Sequence, residues 1–262
     1  MWAGAAVPRL VAFDLDDTLA PSKSALDPRM LELLLQLLDV AEVCIISGGQ
    51  IAQFNAQVVE KLPSAGDILQ RLHLMPTCGT QYWRHQDGAW KALYAENLTQ
   101  QQIDDAFASL QTRAKELGLW EEETWGPILE DRGSQVTFSA LGQAAPVDIK
   151  REWDPTGEKK NTLRAVVQAD LPELEVRSGG STSVDITRRG IDKAYGMRKL
   201  IEMTGIPADA MLFVGDRLDP DGNDYPVKSV GVPAHAVKGW EETADLVERI
   251  VALAHDGDAP SA

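Results

Sequence analysis

The sequence predicts an α/β protein, a doubly wound parallel-sheet core interrupted by an α+β segment. Three observations carry that expectation. Continuous apolar runs near 10–13, 43–46 and 211–214 each end in a polar loop, as strands buried on both faces do. Helical stripes lie between them, Met30, Leu33, Leu34, Leu37 and Leu38 being the clearest. From about residue 82 to 187, strands and helices stop alternating and the texture becomes antiparallel α+β. The expected boundaries are 1–84 with 188–262 for the core and 85–187 for the insertion.

A chain of 262 residues with 44% hydrophobic and 25% charged side chains can bury a sizeable core. Its 40 acids against 25 bases give a net charge of -15, which disfavours nucleic acid and anionic membrane surfaces as partners. No signal peptide is expected, since residues 1–10 lack a basic stretch followed by an apolar one. No apolar run is long enough to span a bilayer. Cys44 and Cys78 sit in apolar, strand-like surroundings and read as reduced thiols of a cytoplasmic protein. A monomer or homodimer is expected.

The elements follow in order. Asp27-Pro28 pairs an N-cap with a first-turn proline and opens the first helix. The strand at 43–46 runs into Ser47-Gly48-Gly49, and a helix begins near Gln50. A further strand is expected over 72–78. Aromatic residues around Asp87-Gly88 signal a hairpin over 82–95. Thr99 with Gln102 makes a capping box ahead of a helix that ends before Gly118. Strands are predicted at 128–130 and 135–140, a helix from Asp154-Pro155 to about 167, and strands at 174–177 and 183–187. The core then resumes with a helix at 193–204, strands at 211–214 and 227–232, and a helix at 240–254. The small polar tail from His255 is expected to fray.

Chemistry concentrates in Asp14-Leu15-Asp16-Asp17-Thr18. Carboxylates clustered at the end of a buried strand are costly unless something positive sits there. Oxygen-only ligation suits Mg²⁺ better than zinc. Three other pieces stand at strand ends or helix starts: Ser47, Lys193, and Asp216 with Asn223-Asp224. Each alone has a plainer explanation, a turn for Ser47-Gly48-Gly49 and Gly215-Asp216, a solvated lysine for Lys193. Together they complement one another. A carboxylate can attack phosphorus, a second can move the proton, and a hydroxyl and an ammonium can hold phosphoryl oxygens.

In order and spacing these four pieces resemble the motif set of the haloacid dehalogenase (HAD) phosphotransferases, beginning with a DxDxT loop. The resemblance implies that Asp14 is the nucleophile and that Asp16 is the general acid/base, its carbonyl also touching the metal. It implies that Ser47, with Gly48, binds the phosphoryl group, that Lys193 neutralises it, and that Asp216, Asn223 and Asp224 serve Mg²⁺. The α+β insertion resembles the C2B cap of the HAD-IIB group, which includes sugar-phosphate phosphatases and eukaryotic-type phosphomannomutases. Gly215 to Asp224 is similar to the mutases' GDxxxPGGND, with Asp221 for a glycine. Gly179, Gly180, Ser183 and Asp185 match GGxxSxD, and Gly190, Asp192 and Lys193 match G-x-D-K. The segment from Arg132 through Ser139 to Gly142-Gln143 matches only in part.

The departures fall on substrate contacts. Gln143 and Lys23 stand where the mutases carry arginines, and an amide does not reproduce a bidentate grip on phosphate. Asp17 replaces the glycine of DxDGT. Arg132, Ser183 and Asp185 are the cap residues expected to face the substrate. The resulting expectation is a Mg²⁺-dependent phosphatase of a phosphorylated sugar or similar small metabolite. A phosphomannomutase-type mutase is the alternative, and a non-catalytic sugar-phosphate-binding regulator a further one.

Overall fold

The structure is a computed structural model and describes residues 6–63 and 67–257. The chain divides into two compact units, 1–94 with 192–262 and 95–191.

The first unit is built on a seven-stranded sheet in the order β11-β10-β1-β2-β3-β4-β5. β1 (Leu10–Phe13), β2 (Glu42–Ile46), β3 (Leu72–Met75), β10 (Met211–Gly215) and β11 (Ala234–Ala236) run parallel. β4 (Gln81–Gln86) pairs antiparallel to β3, and β5 (Ala89–Ala95) follows across Asp87-Gly88. Asp87 (φ 51°) and Gly88 (φ 77°) both take the left-handed conformation that a tight two-residue turn demands.

β1, β2 and β10 are buried along nearly their whole length, which accounts for their unbroken apolar sequences. One face of the sheet packs against α1 (Pro28–Val40) and α7 (Trp240–Gly257), the other against α6 (Lys193–Thr204). Asp27 caps α1 as expected, accepting the Arg29 amide at 2.9 Å, and Met30, Leu33, Leu34, Leu37 and Leu38 form its buried face. α6 starts on the Asp192 cap and stops at Gly205 (φ 67°). α2 (Ile51–Gln57) follows β2.

The second unit has a four-stranded antiparallel sheet, β6-β7-β9-β8, from Leu129–Asp131, Gln135–Ser139, Ser183–Arg188 and Leu174–Ser178. Val136, Phe138, Val184, Ile186, Leu174 and Val176 pack beneath α3 (Gln100–Glu116) and α5 (Glu158–Asp170). The capping box of Thr99 and Gln102 is present at the start of α3.

Three expectations need correction, and one helix was not expected. The 82–95 hairpin extends the large sheet and so belongs to the first unit, which moves the divisions from 84/85 and 187/188 to 94/95 and 191/192. Residues 227–232 are not a strand. Pro226 opens a 3₁₀ turn over Tyr225–Val230, and β11 lies just beyond, too short and too small-sided to leave an apolar signature. Cys78 sits in a turn at φ 56° and not in a strand, and neither cysteine forms a disulfide among the described residues. A helix over Val147–Trp153 (α4) went unforeseen because none of its residues is buried and it has no apolar stripe. Of the tail expected to fray, residues from 258 lie outside the described residues, while His255 and Asp256 are still helical.

Candidate active site

β1 and β10 are neighbours in the sheet, but their chain connections leave in opposite directions, β1 toward β2 and β10 toward β11. The crevice beyond their carboxyl ends is therefore a topological switch point, where open α/β sheets bind ligands. Asp14 follows the last residue of β1, its amide bonded to the Val214 carbonyl at 3.0 Å, and Asp216 follows β10. Asp224 returns to the same place on the loop after β10. Its amide meets the Arg217 carbonyl at 3.2 Å, and its Oδ2 accepts the Arg217 amide at 3.0 Å.

Carboxylate oxygens of Asp14, Asp216 and Asp224 all lie within 4.8 Å of one another. Into this group comes Lys193, the first residue of α6 and 1% exposed. Its Nζ stands 2.7 Å from Asp14 Oδ1 and 2.5 Å from Asp224 Oδ1. Burial works against the Lys193 ammonium, but Asp14 and Asp224 outweigh it and hold the pKa above that of an ordinary lysine. Burial raises the Asp14 carboxyl to about 8, Lys193 opposes that rise, and Asp224 adds to it. Burial and Asp224 likewise push Asp216 up. Among the described residues three carboxyl groups share one ammonium, so the cluster carries more negative charge than its own residues neutralise. An all-oxygen donor set of this kind fits a hard divalent cation.

Ser47 is 5% exposed at the end of β2, and its Oγ accepts the Gly49 amide at 3.2 Å. A tight turn supports it: Cys78 donates its amide to the Ser47 carbonyl and Thr77 to that of Gly49, both at 2.9 Å. Thr18 donates its hydroxyl to Asp216 Oδ1 at 3.3 Å. Asp16 is not among the three converging carboxylates. Its Oδ1 accepts the Lys23 amide at 2.8 Å and its Oδ2 the Gln53 carboxamide at 2.8 Å. Lys23 Nζ donates to Gln53 Oε1 at 2.5 Å and lies 3.5 Å from Asp16 Oδ2. Asn223 is exposed beside the buried Asp224.

The structure explains Asp17, which the sequence alone left without a reason. Its φ is 58°, the left-handed region that aspartate tolerates better than most residues, and its carboxylate accepts the Ser22 amide at 3.2 Å. The position demands a conformation, which aspartate supplies here in place of glycine.

In the second unit, Ser183 and Asp185 share the sheet face opposite the apolar one. Glu130, Thr137, Asp185 and Arg177 lie side by side in register, and Thr137 donates to Asp185 Oδ1 at 2.7 Å. Arg132 pairs with Glu130 at 2.8 Å, both largely buried. Gln143 Nε2 donates to Ser139 Oγ at 2.6 Å, and Ser139 lies 3.5 Å from Ser183 between hydroxyls. The sequence missed Gln53 and Gln57, which meet Asp16 from α2 across 37 and 41 residues. Nothing in a short helix after a Gly-Gly turn marked them.

Residues 11–226 match the family model described as haloacid dehalogenase-like hydrolase. The chain belongs to this hydrolase family. It is 22% identical to human phosphomannomutase 1 over 251 residues, covering 92% of this chain and 91% of that one. The phosphomannomutase of Dendrobium officinale is 23% identical over 257 residues, covering 95% and 97%. Among solved structures, an N-terminally truncated IMP-nucleotidase of Plasmodium falciparum superposes with a TM-score of 0.69 at 14% identity, covering 95% of this chain and 72% of that one. The trehalose-6-phosphate phosphatase of Aspergillus fumigatus gives 0.55 at 19%, covering 95% and 94%. These two show the shared fold. The chain is an enzyme of the HAD-like hydrolase family.

Proposed function

We propose that the protein is a Mg²⁺-dependent phosphatase that hydrolyses a phosphorylated sugar or similar small metabolite through an aspartyl-phosphate on Asp14. The observation that carries this reading is the convergence of Asp14, Asp216 and Asp224 on Lys193 at the β1/β10 switch point. An Asp14 oxygen attacks phosphorus, and the P–O bond to the leaving group breaks. Asp16 gives its proton to the departing oxygen. It then takes a proton from water, whose oxygen bonds phosphorus as the acyl-phosphate bond breaks. Lys193 and Ser47, with the Gly48 backbone, hold the phosphoryl oxygens.

Asp14, Asp216 and Asp224 would hold Mg²⁺, which when bound would offset the repulsion between an anionic nucleophile and an anionic substrate. Arg132, Gln143, Ser183 and Asp185 are the groups through which the second unit selects the substrate. No helix among the described residues is long and apolar enough to cross a membrane.

A second reading has its own support: the curated relatives named above are phosphomannomutases and match over almost the whole chain. The phosphatase is favoured because Gln143 and Lys23, where the mutases are expected to carry arginines, are committed to Ser139 and to Asp16 with Gln53. A panel of phosphorylated metabolites, assayed with Mg²⁺ for phosphate release and for 1- to 6-phosphate interconversion, tests both. Release without interconversion supports the phosphatase; faster interconversion supports the mutase.

A further inference from the structure

Asp16 has two successive tasks in the reaction proposed above, and both require its carboxyl group at a fixed place. Its own backbone does not secure that place, because an aspartate side chain rotates freely unless something holds it. Here three side chains and one amide converge on it. Gln53 Nε2 reaches Oδ2 at 2.8 Å, the Lys23 amide reaches Oδ1 at 2.8 Å, Gln57 Nε2 reaches Oδ1 at 3.3 Å, and Lys23 Nζ lies 3.5 Å from Oδ2.

The partners are themselves fixed. Gln53 Oε1 is occupied by Lys23 Nζ at 2.5 Å. Gln57 is 3% exposed and donates a second time, to the Ser24 carbonyl at 2.6 Å. Gly49, the last residue of the Ser47 turn, leaves the room: a Cβ there would lie 2.8 Å from Gln53 Cδ and collide with its Oε1. The Ser47 turn, α2 and the loop that carries Asp16 therefore meet at one carboxamide.

We infer that Gln53 is a positioning residue for Asp16: with Lys23 and Gln57 behind it, its carboxamide sets the place from which Asp16 activates water against the aspartyl-phosphate. The inference rests on the reading of Asp14 and Asp16 given above and adds to it. It also gives Lys23 a role next to the general base instead of on a distal phosphate. The geometry favours the water step in particular. A carboxylate held by several donors has its lone pairs aimed and its charge supported, as a general base needs. A displacement of about 1 Å at such a group can cost about a hundredfold in rate.

The test uses the full chain with Mg²⁺ and p-nitrophenyl phosphate. The phenolate of that ester leaves without needing a proton, so phosphorylation of Asp14 proceeds and the water step is read separately. Rapid acid quench at steady state traps the acyl-phosphate. Gln53→Met keeps the length and packing and removes both polar atoms; Gln53→Lys keeps a donor.

Gln53→Met should slow phosphate release by about ten- to a hundredfold, leave KM within about twofold and raise the trapped phosphoenzyme fraction. Gln53→Lys should recover much of the release rate and bring the fraction back toward wild type. An unchanged phosphoenzyme fraction in Gln53→Met overturns the inference, whether release is normal or has fallen in step with folded protein. Wild type that turns the ester over but yields no phosphoenzyme on any quench time overturns the aspartyl-phosphate reading, and this inference with it. The two failures are distinguishable, since the first leaves wild-type trapping intact.

Discussion

Gly79 and Gly196 approach so closely that a Cβ on Gly79 would stand 2.5 Å from the Gly196 Cα. This contact seats α6 directly on the turn that follows β3, and through α6 it places Lys193 against Asp14. The same turn donates the Cys78 and Thr77 amides to the Ser47 loop. Lys193 and Ser47, the two side chains proposed to hold the phosphoryl group, therefore share one packing contact. A methyl at position 196 would collide with Ile46 Cδ1 and come within 2.7 Å of the Cys78 carbonyl. We expect Gly196→Ala to cost about 1–3 kcal/mol by overpacking, read as a lower urea midpoint. It should also reduce kcat by displacing Lys193. Unchanged stability and turnover would show that the helix shifts freely and that the contact places nothing.

Lys193 and the three carboxylates form a buried charge cluster whose members depend on one another. Lys193→Met removes the ammonium that, among the described residues, meets both Asp14 and Asp224, leaving two buried carboxylates unmatched. Breaking a buried pair in this way costs about 3–5 kcal/mol. Asp14→Asn should instead leave the fold intact and abolish turnover, because an amide cannot become an acyl-phosphate. Thermal unfolding and phosphate release separate these outcomes. Ordinary turnover in Asp14→Asn would falsify the mechanism.

Excess negative charge in the same cluster predicts a stability that depends on Mg²⁺. A ligand bound only by the folded state stabilises it by about 2.7 kcal/mol at a hundred times its Kd. Unfolding temperature should therefore rise with Mg²⁺ and fall back on chelation, and chelation should stop turnover. Asp216→Ala should remove most of the rise. If Asp216→Ala responds to Mg²⁺ as wild type does, the cation is held elsewhere.

Much of this arrangement is legible in the sequence, for a physical reason. The strands that carry Asp14, Ser47 and Asp216 are buried on both faces, so their apolar runs stand out and the polar residue after each is conspicuous. Lys193 follows Asp192, a strong helix cap, and its place at a helix start is equally visible. What stays hidden depends on contacts across long separations. Gln53 and Gln57 look like surface residues of a short helix until α2 is folded against Asp16. β11 escapes notice because Ala234-His235-Ala236 is a three-residue edge strand, while Val227 and Val230 before it belong to a proline-led 3₁₀ turn. Asp17 shows its reason only once its φ is known.

Arg113 and Asp170 clamp α3 to α5 in the second unit through two parallel bonds of 2.8 Å, with Ser109 donating to the same carboxylate. Arg113 and then Ser109 lower the Asp170 pKa from 3.8 to about 2. A depressed carboxyl pKa contributes stability that is fully present above the unfolded value and is lost as pH falls toward the folded one. The window is thus from about pH 4 down to about pH 2. Solvent screens this largely exposed pair, so its worth is about 0.5–1 kcal/mol. Asp170→Asn should lower the unfolding free energy read from urea titration by that amount at neutral pH, and the gap from wild type should shrink below about pH 4. A gap that persists undiminished in acid would show that the carboxamide disturbs packing and that charge contributes little.

Gln143 offers the sharpest separation of phosphatase from mutase. A mutase must keep a bisphosphorylated sugar bound while it turns over, and so needs firm charge contacts at both ends of the sugar. Here the Gln143 carboxamide donates to Ser139 at 2.6 Å, while the Gln143 backbone carbonyl accepts Lys150 Nζ at 2.6 Å. Lys23 is turned to Asp16 and Gln53. One charge-assisted contact to phosphate is worth about 1.5–3 kcal/mol, roughly ten- to a hundredfold in holding the intermediate. Without two such contacts, release and hydrolysis should outrun reorientation. We expect net phosphate release from a hexose phosphate to exceed conversion between its 1- and 6-phosphates, even with a hexose 1,6-bisphosphate present. Gln143→Arg should shift the ratio toward conversion, since a guanidinium can grip a phosphate with two bonds where the amide holds Ser139. Faster interconversion than release in the wild type would make the protein a mutase and Gln143 a tolerated change.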